Sequence, residues 1–159
     1  MPPKDVLARL QFLVRVTRKE SRHLQATDRR LFKEDFDEKR AAALESDSDL
    51  AERVEAFVGR FGRLQDTLAD KLLPALLSSL GERPGAQLDN LDRAERLGFI
   101  DSAETWLAMR QLRNQMVHEY IEDLVVLANA LQSGHDLVPA LIGAAERMAG
   151  EVAKRGWES

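Results

Sequence analysis

The chain has 159 residues, 44% of them apolar and 31% charged, with a net charge of −4 and no cysteine. That length and apolar share suit one packed core and exclude a disordered tail, while the lack of cysteine excludes a disulfide framework and thiolate metal sites and fits a reducing cytoplasm. The N-terminus MPPKDVLARL has no uninterrupted apolar stretch of the signal-peptide kind, and even LVVLANAL falls far short of the roughly 18–20 residues that span a bilayer.

Almost every segment reads as helix. Val6, Leu7, Leu10, Leu13, Val14, Thr17 and Leu24 recur at spacings of three and four, which predicts a first helix from Lys4 to about residue 26 or beyond, entered through Pro2 and Pro3. This stretch is basic. Residues 1–30 hold eight Lys/Arg (Lys4, Arg9, Arg15, Arg18, Lys19, Arg22, Arg29, Arg30) against Asp5, Glu20 and Asp28, a local +5, so the other residues carry −9 of the net −4. Such a helix could follow a phosphate backbone, or it could simply present a solvated face.

A charged loop follows, with one short helical piece around Glu38–Leu44. Leu50, Val54, Phe57, Phe61, Leu64, Leu68 and Leu72 then form a heptad-like stripe, with Asp49 and Glu52 resembling a capping box at its start. Pro74 should kink this helix or end it, and Gly81 and Pro84 should close it. A short helix around Leu88–Leu97 ends at Gly98, and Asp101 with Glu104 suggests another capped start. The next helix should run from Ser102 to about His118. After Tyr120 the pattern continues through IEDLVVLANALQ, breaks at Ser133-Gly134, and resumes over Asp136–Lys154 with Pro139 in the first turn. There is no strand signal, no repeat and no linker able to divide domains. The expectation is one all-α domain over residues 1–159, an antiparallel bundle of four to five main helices.

Chemistry concentrates in RNQMVHEY, residues Arg113 to Tyr120. On a wheel of 100° per residue, Trp106, Leu112, Met116, Val117 and Tyr120 mark an apolar sector, and Arg113 projects into it. A guanidinium does not lose its proton there, so it needs an anionic partner or a wet groove. His118 lies about 140° from Arg113, so one regular helix does not bring them to one point. Asn114 and His118 share a face, which would let the amide orient the imidazole. A distorted helix end, or a second copy across a twofold axis, would bring arginine and histidine onto one phosphate. These residue types suit RNA cleavage by its own 2′-hydroxyl: a histidine titrates near neutrality, an arginine holds the charged transition state, and no metal is needed. The same residues also admit structural roles. Arg113 could pair with Asp66 or Asp70, His118 could be a cation near a helix C-terminus, and Tyr120 could pack in the core with its hydroxyl reaching solvent.

RNQMVHEY resembles the R-x4-H-x-Y motif of the HEPN superfamily in its HepT-like branch, which includes toxins paired with small MNT nucleotidyltransferases and the proteins called nucleotidyltransferase substrate-binding. The upstream run GFIDSAETWLAMRQLRNQMVHEY and the helix RFGRLQDTLADKLLPALL are similar to that branch as well, so the likeness covers about residues 5–150. The resemblance implies a HEPN-like helical bundle that dimerises so that both motifs face one cleft, with no cofactor and no metal. It implies that Arg113 steadies the phosphate, that His118 transfers the proton, and that Asn114 supports them. It also implies that Tyr120 is the acceptor of AMP from an MNT-type nucleotidyltransferase, the antitoxin, which silences the toxin. Arg110, one turn before Asn114, is a further candidate phosphate contact or plain surface charge. Three readings follow: a metal-independent endoribonuclease toxin acting on RNA in the cytoplasm; a non-catalytic nucleotidyltransferase-binding partner that holds nucleotide phosphate with the same motif; and a structural dimer in which Arg113 lies in a dry ion pair. His23 and His135 read as surface residues, the latter in a turn, and the three histidines show no metal-site spacing.

Overall fold

The computed structural model describes residues 1–117 and 120–158. Among them every regular element is helical: α1 Lys4–Leu31, α2 Glu38–Ala43, α3 Ser48–Asp66 continuing as a π-helical turn Thr67–Leu72 into α4 Leu73–Ser79, then α5 Gln87–Leu97, α6 Ala103–Gln115 and α7 Leu124–Lys154. The expected all-α bundle is what the chain forms. No helix among the described residues is long and apolar enough to cross a membrane.

The stripe that begins at Leu50 is the spine of the core. Val54, Phe57, Phe61, Leu64, Leu68 and Leu72 are fully buried, and they join leucines of α1 and α7 in one contiguous cluster with Leu10, Leu24, Leu31, Leu131 and Leu141. The apolar residues lie on one face because three- and four-residue spacing keeps them there. α1 and α7 run antiparallel. Gln11 donates to the Trp157 carbonyl at one end of this seam, and Asp28 meets His135 at the other.

Helix ends follow local chemistry, with small displacements from the sequence reading. Asp47, not Asp49, caps α3 by accepting from the Leu50 N–H at 3.0 Å. Ser102, not Asp101, caps α6 by accepting from the Thr105 N–H at 3.1 Å. Gly98 ends α5 in the left-handed region at φ 82°, where glycine avoids the Cβ clash. The Phe99 N–H reaches back to Ala94 and the Gly98 N–H to Glu95, the paired bonds of a Schellman turn. Pro74 brings no N–H, so the turn before it cannot close as a regular α-turn. The chain widens there into the π turn that Pro74 was expected to mark as a kink.

Two expectations fail in α7. The helix does not break at Ser133-Gly134, and Pro139 sits inside it rather than in a first turn. Gly134 is a packing device. A Cβ there would lie 2.7 Å from the Met116 sulfur and 3.3 Å from the Phe57 ring. The glycine lets the end of α6 press onto α7. Pro139 is exposed, so the hydrogen bond it removes lies on the solvent side.

Candidate functional site

The site lies where the last turn of α6 crosses α3. Gln65, almost fully buried, fixes that crossing by donating its amide N–H to the Trp106 carbonyl at 3.1 Å. Two turns further along α6, Arg113 reaches Asp66, the neighbour of Gln65. Its Nη1 donates to Oδ1 at 2.7 Å and its Nη2 to Oδ2 at 3.2 Å, a two-pronged pair. The guanidinium rests against Gly62, one turn before Asp66. A Cβ at Gly62 would stand 2.7 to 2.9 Å from Nη2, Nε and Cζ of Arg113. The glycine is thus the floor of an arginine seat.

Of the two acids considered for Arg113, Asp66 is the partner. The pair is not dry: 29% of the arginine side chain and 44% of the aspartate side chain remain exposed. A half-exposed pair of this kind contributes only about 0–1 kcal/mol to folding. Its effect is on geometry. The two-pronged bond engages one N–H on each terminal nitrogen of a planar cation, which has five N–H donors in all.

Asp70, a few residues on within the π turn, serves the other arginine indirectly. The Gln87 amide donates to Asp70 Oδ1, and its oxygen accepts from Arg110 Nη1. Arg110 and Arg113, three residues apart on α6, are therefore both anchored from α3, the π turn and α5. Sequence reasoning missed Gln87, which no pattern singles out. It also missed Gly62, although a lone glycine inside a helical stripe signals a close approach.

The end of α6 corrects the wheel. The helix stops at Gln115, short of the expected end near His118, and the Met116 N–H closes on the Arg113 carbonyl at 3.2 Å in a tightened turn. Met116 is fully buried, whereas Tyr120 is 80% exposed. The apolar sector therefore ends at Met116 and half-buried Val117, and Tyr120 is not a core residue. Asn114 is exposed. His118 lies outside the described residues, as does its expected pairing with Asn114. A positive side chain in the last turn of α6 also sits well against the negative end of the helix dipole.

The other expected surface residues divide. His23 is exposed, and so are the eight cations of α1, with Arg18 paired to Glu158. His135 is not in a turn. It sits inside α7, half-buried, with Nδ1 2.7 Å from Asp28 Oδ1 and its ring stacked on Phe32 at 4.4 Å. Two grooves, of about 290 and 580 Å³, run along the α1–α7 seam and do not include Arg113. Arg113 lies outside both, with 29% of its side chain exposed.

Comparison with protein-family models, with curated proteins and with solved structures finds no match for the chain.

Proposed function

We propose that the chain is a metal-independent endoribonuclease of the HEPN type, working in the cytoplasm as the toxin of a HEPN/MNT pair. The observation that carries this reading is the seat of Arg113. A guanidinium held in place by Gly62 and Asp66, with 29% of its side chain still exposed, suits an incoming phosphate better than a dry packing role. In the reaction the RNA 2′-oxygen bonds to the adjacent phosphorus and the bond to the 5′-oxygen breaks. The products are a 2′,3′-cyclic phosphate and a 5′-hydroxyl. His118 serves in the proton transfer between the attacking hydroxyl and the leaving oxygen, Arg113 holds the charge that develops on the phosphoryl oxygens, and Asn114 supports them. A homodimer would bring two copies of the motif to one cleft.

Silencing by AMP on Tyr120 draws support from its 80% exposure, since an acceptor hydroxyl must be reachable. The Tyr120 oxygen would attack the α-phosphorus of ATP held by the MNT-type nucleotidyltransferase, losing its proton as pyrophosphate leaves. The attached phosphate would then compete with RNA for Arg113.

A second reading has its own observation. Leu107 on α6 and Val125 and Val126 at the start of α7, on the two helices that flank Tyr120, are exposed apolar side chains of the kind a protein partner would cover. Under it the chain is a non-catalytic nucleotidyltransferase-binding protein that grips nucleotide phosphate with the same arginine. The test is incubation of the purified protein with total RNA in EDTA, beside His118→Ala and Arg113→Ala, with the intact mass recorded first. Cleavage by the wild type alone is the expected result. Cleavage that persists in both variants would sink the nuclease reading. No cleavage from an unmodified protein would favour the binding partner, and no cleavage with a mass increase of one AMP would indicate the silenced form.

A further inference from the structure

Arg113 and Arg110 are anchored differently, and the difference has a chemical consequence. Arg113 is bound directly by a carboxylate, which partly offsets its charge. Arg110 is bound by the neutral amide of Gln87, and the carboxylate of Asp70 lies on the far side of that amide. An amide oxygen fixes a guanidinium without neutralising it. Asp70 in turn orients the amide, because it accepts from the amide nitrogen and so leaves the oxygen facing Arg110. The widened turn Thr67–Leu72 puts Asp66 at its entry and Asp70 inside it, so one acid meets α6 and the other meets α5.

We propose that Gln87 is a positioning residue that holds Arg110 as a fully charged second prong beside Arg113, so that the α6 edge binds the backbone of a single-stranded nucleic acid through two neighbouring anionic groups. This rests on the reading of Arg113 as a phosphate ligand, and it adds the residues that extend the contact beyond the scissile group. Gln87→Glu is the decisive change. It keeps the size of the side chain, places a carboxylate on Arg110, and sets that carboxylate against Asp70.

The test uses a short single-stranded oligothymidylate, which has no 2′-hydroxyl and cannot be cleaved by the proposed chemistry. Its affinity is measured over a series of salt concentrations. Arg110→Ala is expected to weaken binding about fivefold to tenfold and to lower the slope of log affinity against log salt by about 0.7, the loss of one phosphate contact on a single strand. Gln87→Glu is expected to match Arg110→Ala in both, and the double variant is expected to be no worse than either. Gln87→Ala, which frees Arg110 without neutralising it, is expected to lose affinity while keeping the wild-type slope. Wild-type affinity and slope in Gln87→Glu would overturn the proposal, as would a wild-type protein that does not bind the oligonucleotide. The nuclease reading fails separately. If RNA is never cleaved yet the oligonucleotide binds with these dependences, the two-pronged contact stands and the catalytic assignment falls.

Discussion

The last turn of α6 is gripped from two sides, and each grip depends on a glycine. On one side Gly134 of α7 admits the Met116 sulfur, with the Phe57 ring behind it, and the contact is fully buried. On the other side Gly62 of α3 admits the Arg113 guanidinium, with Asp66 beside it, and the contact is half open to solvent. The backbone device is the same and the contents are opposite. The apolar side contributes to folding, because burying a methionine removes its surface from water. The polar side contributes little, because an exposed ion pair is screened. A contact that fixes direction while adding little stability fits a site better than a scaffold. Changes on the apolar side should therefore unfold the chain, whereas changes on the polar side should leave it folded and, under the proposed function, remove its phosphate contact.

The largest expected effect on folding is at Met116. Met116→Ala should destabilise the chain by about 2–5 kcal/mol, the cost of a large-to-small change in a closed core, read as a lowered denaturant midpoint. Loss of RNA cleavage in this variant should track loss of fold. Arg113→Ala should behave in the opposite way. Unfolding should change by no more than about 1 kcal/mol, since Asp66 is left 44% exposed and is not stranded in the core. Cleavage should fall about 10²- to 10³-fold, the usual result of removing one preorganised donor to a charged transition state. A stability loss at Arg113 as large as that at Met116 would make the polar side a scaffold after all.

Gly134→Ala is the milder probe of the apolar side. The added methyl crowds a flexible sulfur at 2.7 Å and a fixed ring at 3.3 Å. Crowding of a packed core costs about 1–3 kcal/mol, and exchanging glycine for alanine within a helix returns about 1 kcal/mol. A net loss on the order of 1 kcal/mol is expected in thermal unfolding, with specific activity of the folded fraction retained.

The two sides were also unequally legible in the sequence. The Arg113–Asp66 pair was one of two named possibilities, because a buried-side arginine on an amphipathic helix demands an acid on the neighbouring helix. The long stripe from Leu50 to Leu72 was legible for the same reason, that three- and four-residue spacing reports directly on burial. Gly134 was misread as a break, since glycine after serine signals a turn when only local propensity is weighed. Its purpose is tertiary, and it appears only when Met116 is packed against it. Tyr120 was misread through the wheel, which assumed a helix that in fact stops at Gln115. Gln87 was invisible, because a single amide outside any repeat acquires meaning only from the arginine and the aspartate brought to either side of it.

The smallest and sharpest test is Gly62→Ala, the polar counterpart of Gly134→Ala. The methyl would meet the far end of a flexible arginine at 2.7 to 2.9 Å, and the arginine can swing away at little cost. Alanine also favours the helix by about 1 kcal/mol over glycine. Thermal unfolding should therefore be unchanged or slightly raised. The guanidinium, however, would leave its seat on α3, and under the proposed function it would no longer meet a phosphate in the same plane. Cleavage should fall about fivefold, on the order of 1 kcal/mol in the transition state. A variant that is more stable and less active is what a positioning device gives, since the close approach serves geometry and not cohesion. If Gly62→Ala instead unfolds early and its remaining folded protein cleaves RNA at the wild-type rate, then the seat holds α6 to α3 and Arg113 has no privileged direction to lose.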